Sequence, residues 1–317
     1  MSLHDDINNN PASFLVSVHM IVYNHEPYIK EAIEGVLMQQ VNFGLELIIA
    51  NDASTDQTDA VIKRIIGNHP KAHLIRYFNP EKNLGMMPNF IFALNECKGK
   101  YIAFCEGDDY WTDPLKLQKQ AEALEAGPAY SMVISNRQVL QEDQQMMNEY
   151  YDRDLKKNVF TITDIINGFI PGMQTILMRK YESLPVYLAA HPEFYYADRY
   201  ICYFCSLFGN ILLIPDITAV YRLTGSGAWS VNTPLQKLHK FTKFMGDFHA
   251  SLGMPANNAR LAQLEFDSAY TTLRYCLKRP GLFKNKEYRQ AITQPWGKYK
   301  KMNRVKIFLS AIFNRKK

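Results

Sequence analysis

Three acidic residues fall within the four-residue segment 106–109, which reads E-G-D-D. The segment follows residues 101–104, a short apolar and aromatic run typical of a buried β-strand. Carboxylates this close repel one another unless a cation lies among them, and oxygen ligands suit Mg²⁺ or Mn²⁺. The spacing therefore predicts a divalent metal site formed by Glu106, Asp108 and Asp109 at the end of a strand. The alternative is a solvated acidic turn.

Two earlier segments also end an apolar run with polar residues. Residues 14–23 are predicted to form a strand that leads into Tyr23 and Asn24, and residues 45–50 a strand that leads into Asp52. Strands that alternate with helices at this spacing predict a parallel, doubly wound α/β sheet, which binds ligands beyond the carboxyl ends of its strands. All three polar clusters are then expected in one crevice. Because no G-x-G-x-x-G segment or P-loop follows the first strand, a nucleotide would be held by carboxylates and a metal.

The remaining pattern predicts further elements along the chain. Ser54 or Thr55 is expected to cap the second helix, and Leu115 is expected to face the core from a later helix. Residues 142–157 are polar and predicted to be mobile. The further predicted strands are residues 73–78, 131–140, 173–178, 211–214 and 217–222, the last two paired with each other. The further predicted helices are residues 86–97, 114–126, 195–209 and everything from residue 233 onwards.

Composition narrows the class of protein. At 317 residues the chain exceeds the length of about 150 residues typical of one domain, and 47% apolar with 21% charged residues suits a globular protein. Its net charge of +5 is concentrated near the C-terminus without a recognition motif, so we expect no nucleic-acid partner. The five unpatterned cysteines and a polar N-terminus without a signal peptide predict a reducing, cytoplasmic setting. No run reaches the roughly 18 apolar residues of a spanning helix.

Taken in order, these motifs resemble glycosyltransferase family 2, whose members are inverting GT-A enzymes that use nucleotide-diphosphate sugars. The resemblance covers residues 14–230 and depends on several linked segments rather than on one. They are the opening strand 16–24, the D-D-x-S-x-D-like residues 49–56, the N-x-G of residues 83–85, the D-x-D-D-like residues 106–109, residues 197–198 in place of an E-D pair, and residues 220–230, which resemble a Y-R-x-H loop ending in W-S.

The resemblance implies an α/β GT-A fold, a Rossmann-like and mostly parallel sheet flanked by helices, over residues 14–230. A disordered N-terminus, residues 1–13, would precede it, and a helical region, residues 231–317, would follow. It also implies metal-dependent, inverting transfer of a sugar from a UDP- or dTDP-sugar donor, with Mn²⁺ or Mg²⁺ as cofactor. A saccharide or lipid-linked acceptor in surface polysaccharide or glycoconjugate synthesis would receive the sugar.

The family pattern assigns roles to single residues. Asp198 is the predicted catalytic base, because the acceptor hydroxyl needs a base on the face opposite the leaving diphosphate. Alternatively, Asp198 is a carboxylate placed favourably at a helix N-terminus. Asp52 is predicted to recognise the nucleotide base, and its alternative role is to form an Asx-turn. Asp109 and Asp108, supported by Glu106, are the predicted metal ligands. The residues predicted to bind the nucleotide sugar are Tyr23, Asn24, Asp52, Asn83, Asp108, Arg222 and Trp229.

Three positions depart from the family pattern. Asn51 replaces its first acid, Ala197 stands where glutamate is usual, and Thr224 replaces the histidine of Y-R-x-H. Because of these differences, a catalytically degenerate protein that only binds a nucleotide sugar is an alternative to an active enzyme. A sugar-nucleotide nucleotidyltransferase is a further alternative, but it would carry a Gly-, Arg- and Lys-containing loop after the first strand, where residues 23–26 read Y-N-H-E.

The C-terminal residues 296–317 combine basic and apolar side chains, a composition suited to an anionic membrane surface. They predict peripheral contact with the inner face of the membrane, the alternative being a terminal helix packed on the catalytic region. We expect the full chain to float with anionic liposomes and a chain lacking residues 296–317 to stay in the soluble fraction. Equal flotation of the two would contradict the membrane interpretation.

Overall fold

The computed structural model describes residues 15–166, 168–190 and 197–224. The predicted N-terminal segment 1–13, Trp229 and the whole region 231–317, including its basic tail, lie outside the described residues. In the described ranges, no helix is both long and apolar enough to cross a membrane.

The described strands form one mixed sheet in the order β3-β2-β1-β4-β9-β6-β10-β5, with β7 on β6 and β8 on β10. The strands are β1 Val16–Val22, β2 Leu45–Asn51, β3 Ile75–Phe78, β4 Tyr101–Phe104, β5 Tyr110–Trp111, β6 Tyr130–Leu140, β7 Met146–Glu149, β8 Val159–Phe160, β9 Leu177–Arg179 and β10 Asn210–Arg222. The helices are α1 Ile29–Leu37, α2 Thr58–Asn68, α3 Met86–Glu96, α4 Lys116–Ala126, α5 Tyr151–Leu155, α6 Ile162–Ile166, α7 Ser183–Ala189 and α8 Ala197–Ser206, with 3₁₀ turns at Ala72–Leu74 and Met173–Thr175.

The predicted parallel α/β core is confirmed. β1 pairs in parallel with β2 and β4, β2 with β3, and β6 with β10. β9 is antiparallel to both β4 and β6, so it joins the two parallel groups and brings its own N-terminal end to the carboxyl edge of β4. β1 and β2 are buried along nearly their whole length, which explains their continuous apolar sequence.

Several predicted boundaries are wrong for identifiable reasons. The segments 211–214 and 217–222 are not paired strands but one strand, β10, whose register shifts between Ile214 and Ile217 at a bulge. Residues 142–157 contain β7, which pairs with β6, and helix α5. Helix α2 begins at Thr58, whose N–H donates to Asp56 Oδ1 at 3.0 Å, so neither Ser54 nor Thr55 caps it.

Helix α4 buries Leu117, Ala121 and Leu124 as its apolar pattern predicts, but Leu115, which precedes its first residue, does not face the core as predicted. Leu115 is 41% exposed, whereas Lys116 is fully buried. The Lys116 ammonium donates to Gln120 Oε1 at 2.6 Å and lies 4.5 Å from the centre of the Trp111 ring. Burial lowers the pKa of Lys116 to about 7. The helix therefore keeps a titratable amine inside the core.

Lys116 gives the stability of the protein a specific pH dependence. Between pH 7 and 10.5 the unfolded chain keeps the proton that the folded chain releases, so the free energy of unfolding rises with pH, by at most about 1.4 kcal/mol per pH unit. Lys116→Met should remove this rise in urea unfolding curves recorded at pH 7.5 and 9. Lys119→Met, on the same helix but ion-paired with Asp113 and Asp216, should keep it. An unchanged slope in Lys116→Met would contradict the assignment.

Candidate active site

The acidic loop, residues 105–109, follows β4 and is hydrogen-bonded to the end of β1. The Cys105 N–H donates to His19 O at 3.1 Å, and the Gly107 N–H donates to Ile21 O at 3.1 Å. A Cβ on Gly107 would lie 2.7 Å from His25 Nδ1 and 3.0 Å from Val22 Cγ2. Only glycine allows this approach, which brings the acidic loop against the turn that follows β1.

Asp109 fixes the acidic loop to the end of β10. Its side chain is buried, and Oδ1 accepts the backbone N–H of Arg222 at 2.9 Å. Arg222 Nη1 in turn donates to Asp108 O at 2.6 Å. Asp108 and Asp109 therefore lie beside Arg222, as a shared site requires.

The Arg222 guanidinium already has protein partners. It lies 4.8 Å from the centres of both the Tyr28 and Tyr110 rings, and Nη2 donates to Glu31 Oε2 at 2.5 Å. To bind a diphosphate, as predicted, this side chain would exchange the Glu31 contact for a phosphate oxygen.

Burial is the largest influence on the pKa values of Glu106 and Asp109, and repulsion from neighbouring carboxylates adds to it. Burial, followed by the charges of Asp108 and Glu106, raises the pKa of Asp109 well above its ordinary value. Burial, followed by the charges of Asp108 and Asp198, raises the pKa of Glu106. Asp198 contributes to this rise in the pKa of Glu106, although the two residues are distant in the sequence.

The donor set of the acidic loop fits a hard divalent cation. It contains oxygen atoms only, and a cation would relieve the repulsion that raises these pKa values. Among the described residues, no three His, Cys, Asp or Glu side chains are yet gathered closely enough to form a complete metal-binding group. The metal ligands Asp109, Asp108 and Glu106 therefore remain a prediction.

Asp198 is the second residue of α8 and is half-buried. Its Oδ1 accepts the N–H of Arg199 at 2.8 Å, as expected at a helix start. Burial raises the pKa of Asp198, and the positive charges of Arg199 and Arg137 act in the opposite direction. A raised pKa makes this carboxylate a stronger base than an exposed aspartate.

Asn24 connects the turns that follow β1 and β2. Its N–H donates to Ser54 Oγ at 2.9 Å, and its Oδ1 accepts the Thr55 N–H at 2.8 Å. The contact between the two turns continues through Glu26, whose N–H donates to Asp56 Oδ2 at 3.1 Å. Tyr23 stands exposed at this edge. The structure thus gives Asn24 a structural role, and a role in binding the nucleotide stays a prediction.

Asp52 and Asn83 lie together, as the motif order predicts. The Asp52 carboxylate is buried and accepts the N–H groups of Leu84 at 2.6 Å and Gly85 at 3.0 Å. Asn83 Nδ2 donates to Asp52 O at 2.9 Å. Asp52 therefore holds the turn that starts α3, where Gly85 has a φ of +90°. Each carboxylate oxygen has a second lone pair, and a role for Asp52 in reading a nucleobase stays a prediction.

Two charged or titratable neighbours of the acids were not predicted. Arg137, on β6, pairs with Glu149 and lies 4.9 Å from the centre of the Tyr221 ring. His25 Nε2 lies 3.9 Å from Asp108 Oδ2. Nothing in the sequence distinguishes either residue, because Arg137 is one of several polar residues of β6.

Comparison with known proteins identifies the family. The family described as "Glycosyl transferase family 2" matches residues 17–184, more than half of the chain. The chain belongs to glycosyl transferase family 2. An uncharacterized protein of Mycobacterium tuberculosis is 33% identical over 216 residues, which cover 68% of this chain and 60% of that relative. The chain thus spans about three fifths of the length of that relative.

Solved structures show the GT-A fold at low sequence identity. Mannosyltransferase PcManGT from Pyrobaculum calidifontis, in complex with GDP-Man and Mn²⁺, aligns with a TM-score of 0.57 at 16% identity, covering 96% of this chain and 89% of that one. S. aureus TarS 1-349 in complex with UDP-GlcNAc aligns with a TM-score of 0.51 at 17% identity, covering 88% and 90%. The predicted GT-A fold of this family 2 chain is confirmed.

The departure of Asn51 from the family 2 pattern has a local cause. Asn51 is buried, and its Nδ2 donates to the Tyr77 hydroxyl at 2.9 Å. That hydroxyl donates its own proton to Asp59 Oδ1 at 2.7 Å. An aspartate at position 51 has no proton to donate, so one of two carboxylates would face the Tyr77 oxygen without a hydrogen bond.

We therefore expect Asn51→Asp to lower the free energy of unfolding by about 1–3 kcal/mol. Adding Asp59→Asn should recover part of the lost free energy of unfolding. The new asparagine on α2 can donate to the Tyr77 hydroxyl, and that hydroxyl can donate to the new aspartate at the end of β2. Urea unfolding of both single variants and the double variant measures the coupling. A double variant no more stable than the sum of the two single effects would contradict this arrangement.

Proposed function

We propose that this chain transfers a sugar from a nucleotide-diphosphate donor to a hydroxyl acceptor with inversion at the anomeric carbon. The observation that carries the proposal is the acidic loop at the carboxyl end of β4, where Asp109 Oδ1 accepts the Arg222 N–H at 2.9 Å and so joins two segments of the family pattern that are distant in the sequence. Membership of glycosyl transferase family 2 supports it.

Asp108 and Asp109, with Glu106 in support, would hold the metal, Mn²⁺ or Mg²⁺. A divalent ion bound there supplies a Lewis acid that neutralises the charge developing on the leaving diphosphate. The donor oxygens support this assignment, as does the Mn²⁺ in PcManGT, which shares the fold. The hydrogen bond from the Arg222 N–H to Asp109 keeps the acidic loop in place at the end of β10.

Asp198 acts as the base in this proposal. Its carboxylate takes the proton of the acceptor hydroxyl while that oxygen attacks the anomeric carbon, and the diphosphate leaves from the opposite face. One displacement assisted by one base inverts the anomeric centre. The raised pKa of Asp198 and the positive charge of Arg137 beside it suit a base that must accept and then release a proton.

In this proposal the donor is a UDP- or dTDP-sugar, and the remaining lone pairs of the Asp52 carboxylate accept a hydrogen bond from its base. TarS, complexed with UDP-GlcNAc, supports a uridine donor, whereas PcManGT carries GDP-Man on the same fold. The acceptor is a saccharide or lipid-linked glycan of surface polysaccharide synthesis, reached from the cytoplasmic face of the membrane through residues 296–317.

A second candidate, a degenerate nucleotide-sugar-binding protein, is favoured by two observations. Ala197 leaves Asp198 without the neighbouring carboxylate of the family pattern, and Arg222 is already bound to Glu31. Such a protein would bind the donor and release no nucleotide.

Nucleotide release from UDP-sugars, dTDP-sugars and GDP-mannose in the presence of Mn²⁺ separates the two candidates. We expect release by the unmodified chain and a fall of at least about 100-fold in both Asp109→Asn and Asp198→Asn. Asparagine keeps the oxygens that accept the N–H groups of Arg222 and Arg199, so both variants should fold. Asp216→Asn, at a surface ion pair, should retain full activity. Donor binding without turnover under every condition would instead establish the degenerate binder.

A further inference from the structure

A buried glutamine at the edge of the site has an unused hydrogen-bond donor. Gln174, in the 3₁₀ turn Met173–Thr175 that precedes β9, is 1% exposed. Its backbone oxygen accepts Trp111 Nε1 at 2.9 Å, but within the described part of the chain its side-chain Nε2 has no hydrogen-bond partner. A buried polar group without a partner costs about 1–3 kcal/mol. Its retention therefore calls for an explanation outside folding stability.

The strand register places Gln174 between the acidic loop and Arg137. Leu177 on β9 pairs with Ala103 on β4 and with Val133 on β6, both antiparallel. Because β9 is antiparallel to both strands, the turn Met173–Thr175 that precedes it lies beyond Ala103 on the β4 side and beyond Val133 on the β6 side. The glutamine thus lies at the edge of the sheet where the acidic loop follows β4.

Gly172 shows that the Gln174 and Arg137 side chains share one space. A Cβ added to Gly172 would overlap Arg137 Nη1 and would lie 2.7 Å from Gln174 Oε1. The Arg137 Nε is taken up by Glu149, so the guanidinium is held in place beside the glutamine. The Arg137 guanidinium and the amide oxygen of Gln174 therefore lie close together at a glycine that leaves room for both.

A second buried glutamine provides the contrast. Gln120 on α4 accepts the Lys116 ammonium at 2.6 Å and donates to Thr175 O at 2.7 Å and Val133 O at 3.3 Å. Its polar atoms are used within the fold, as is usual for buried side chains. Gln174 differs from it in having a donor left over beside the acidic loop.

We propose that the Gln174 amide binds the sugar that is transferred, its Nε2 donating to a hydroxyl or carbonyl oxygen of the donor sugar. This inference rests on the proposed function. In a displacement with one base, the sugar lies between the leaving diphosphate and that base, and Gln174 lies beyond the end of β4, where the acidic loop proposed to hold the diphosphate begins. A neutral amide suits the uncharged oxygens of a sugar. Because the amide is enclosed, donor binding requires the surrounding side chains to part.

The test compares Gln174→Met with Gln120→Met. Titration calorimetry with Mn²⁺ measures the affinities for UDP and GDP and for UDP-glucose, UDP-GlcNAc and GDP-mannose, and a melting curve gives Tm. For the nucleotide sugar that the unmodified chain binds most tightly, Gln174→Met should weaken binding about tenfold and leave binding of the matching nucleoside diphosphate unchanged. Its Tm should stay the same or rise, because an unsatisfied buried amide is removed.

The control should behave in the opposite way. Gln120→Met should lower Tm, because it leaves three partners unpaired, and should keep the unmodified ratio of the two affinities. Gln174→Glu, which replaces the donor by an acceptor, should show the same loss of sugar affinity as Gln174→Met and serves if the methionine variant does not fold. An unchanged ratio in the Gln174 variants overturns this inference. Failure of the unmodified chain to bind any of these five probes, dTDP or dTDP-glucose would instead overturn the proposed function.

Discussion

The crowding of carboxylates at the end of β4, where Asp109 is buried and Glu106 and Asp108 are partly exposed, is the constraint that shapes this end of the molecule. Glu106, Asp108 and Asp109 follow a buried strand within four residues, and Asp198 approaches them from a helix far along the chain. Each raises the free-energy cost of ionising another, so the arrangement is unfavourable by itself. The fold must therefore hold these residues in place through other contacts, and a bound cation would stabilise their arrangement.

The contacts that hold the acids come from several elements. The Arg222 N–H binds Asp109, the Ile21 carbonyl binds the Gly107 N–H, and the absence of a side chain on Gly107 lets His25 pack close. Asp52 acts similarly at the next strand end, where it binds two N–H groups of the turn before α3. The polar residues of the family pattern thus build the edge of the sheet as well as offering groups to a ligand. Because these structural contacts engage one lone pair or one N–H at a time, they leave room for the chemistry proposed.

The sequence predicted the parts of this structure that depend on local pattern. β1 and β2 are continuous apolar runs because both of their faces are buried, and Asp52, Asn83, Asp108 and Arg222 follow strand or turn signals that the fold then brings to one edge. The predictions that were wrong concern features that depend on tertiary contacts. Lys116 replaced Leu115 inside the core because Gln120 and Trp111 accommodate its ammonium, and the bulge in β10 depends on its pairing with β6. Gln174 and Arg137 could not be recognised, since an unused donor is visible only when every neighbour is placed.

The central claim is that the acidic loop holds a divalent ion and the diphosphate of a nucleotide. Crystals of the full chain grown with Mn²⁺ and UDP, measured near the manganese absorption edge, test it most directly. We predict an anomalous peak against the carboxylates of Asp108 and Asp109, with the diphosphate bound to the same ion. Bound UDP with no manganese at the acidic loop, or manganese held by other residues, would contradict it.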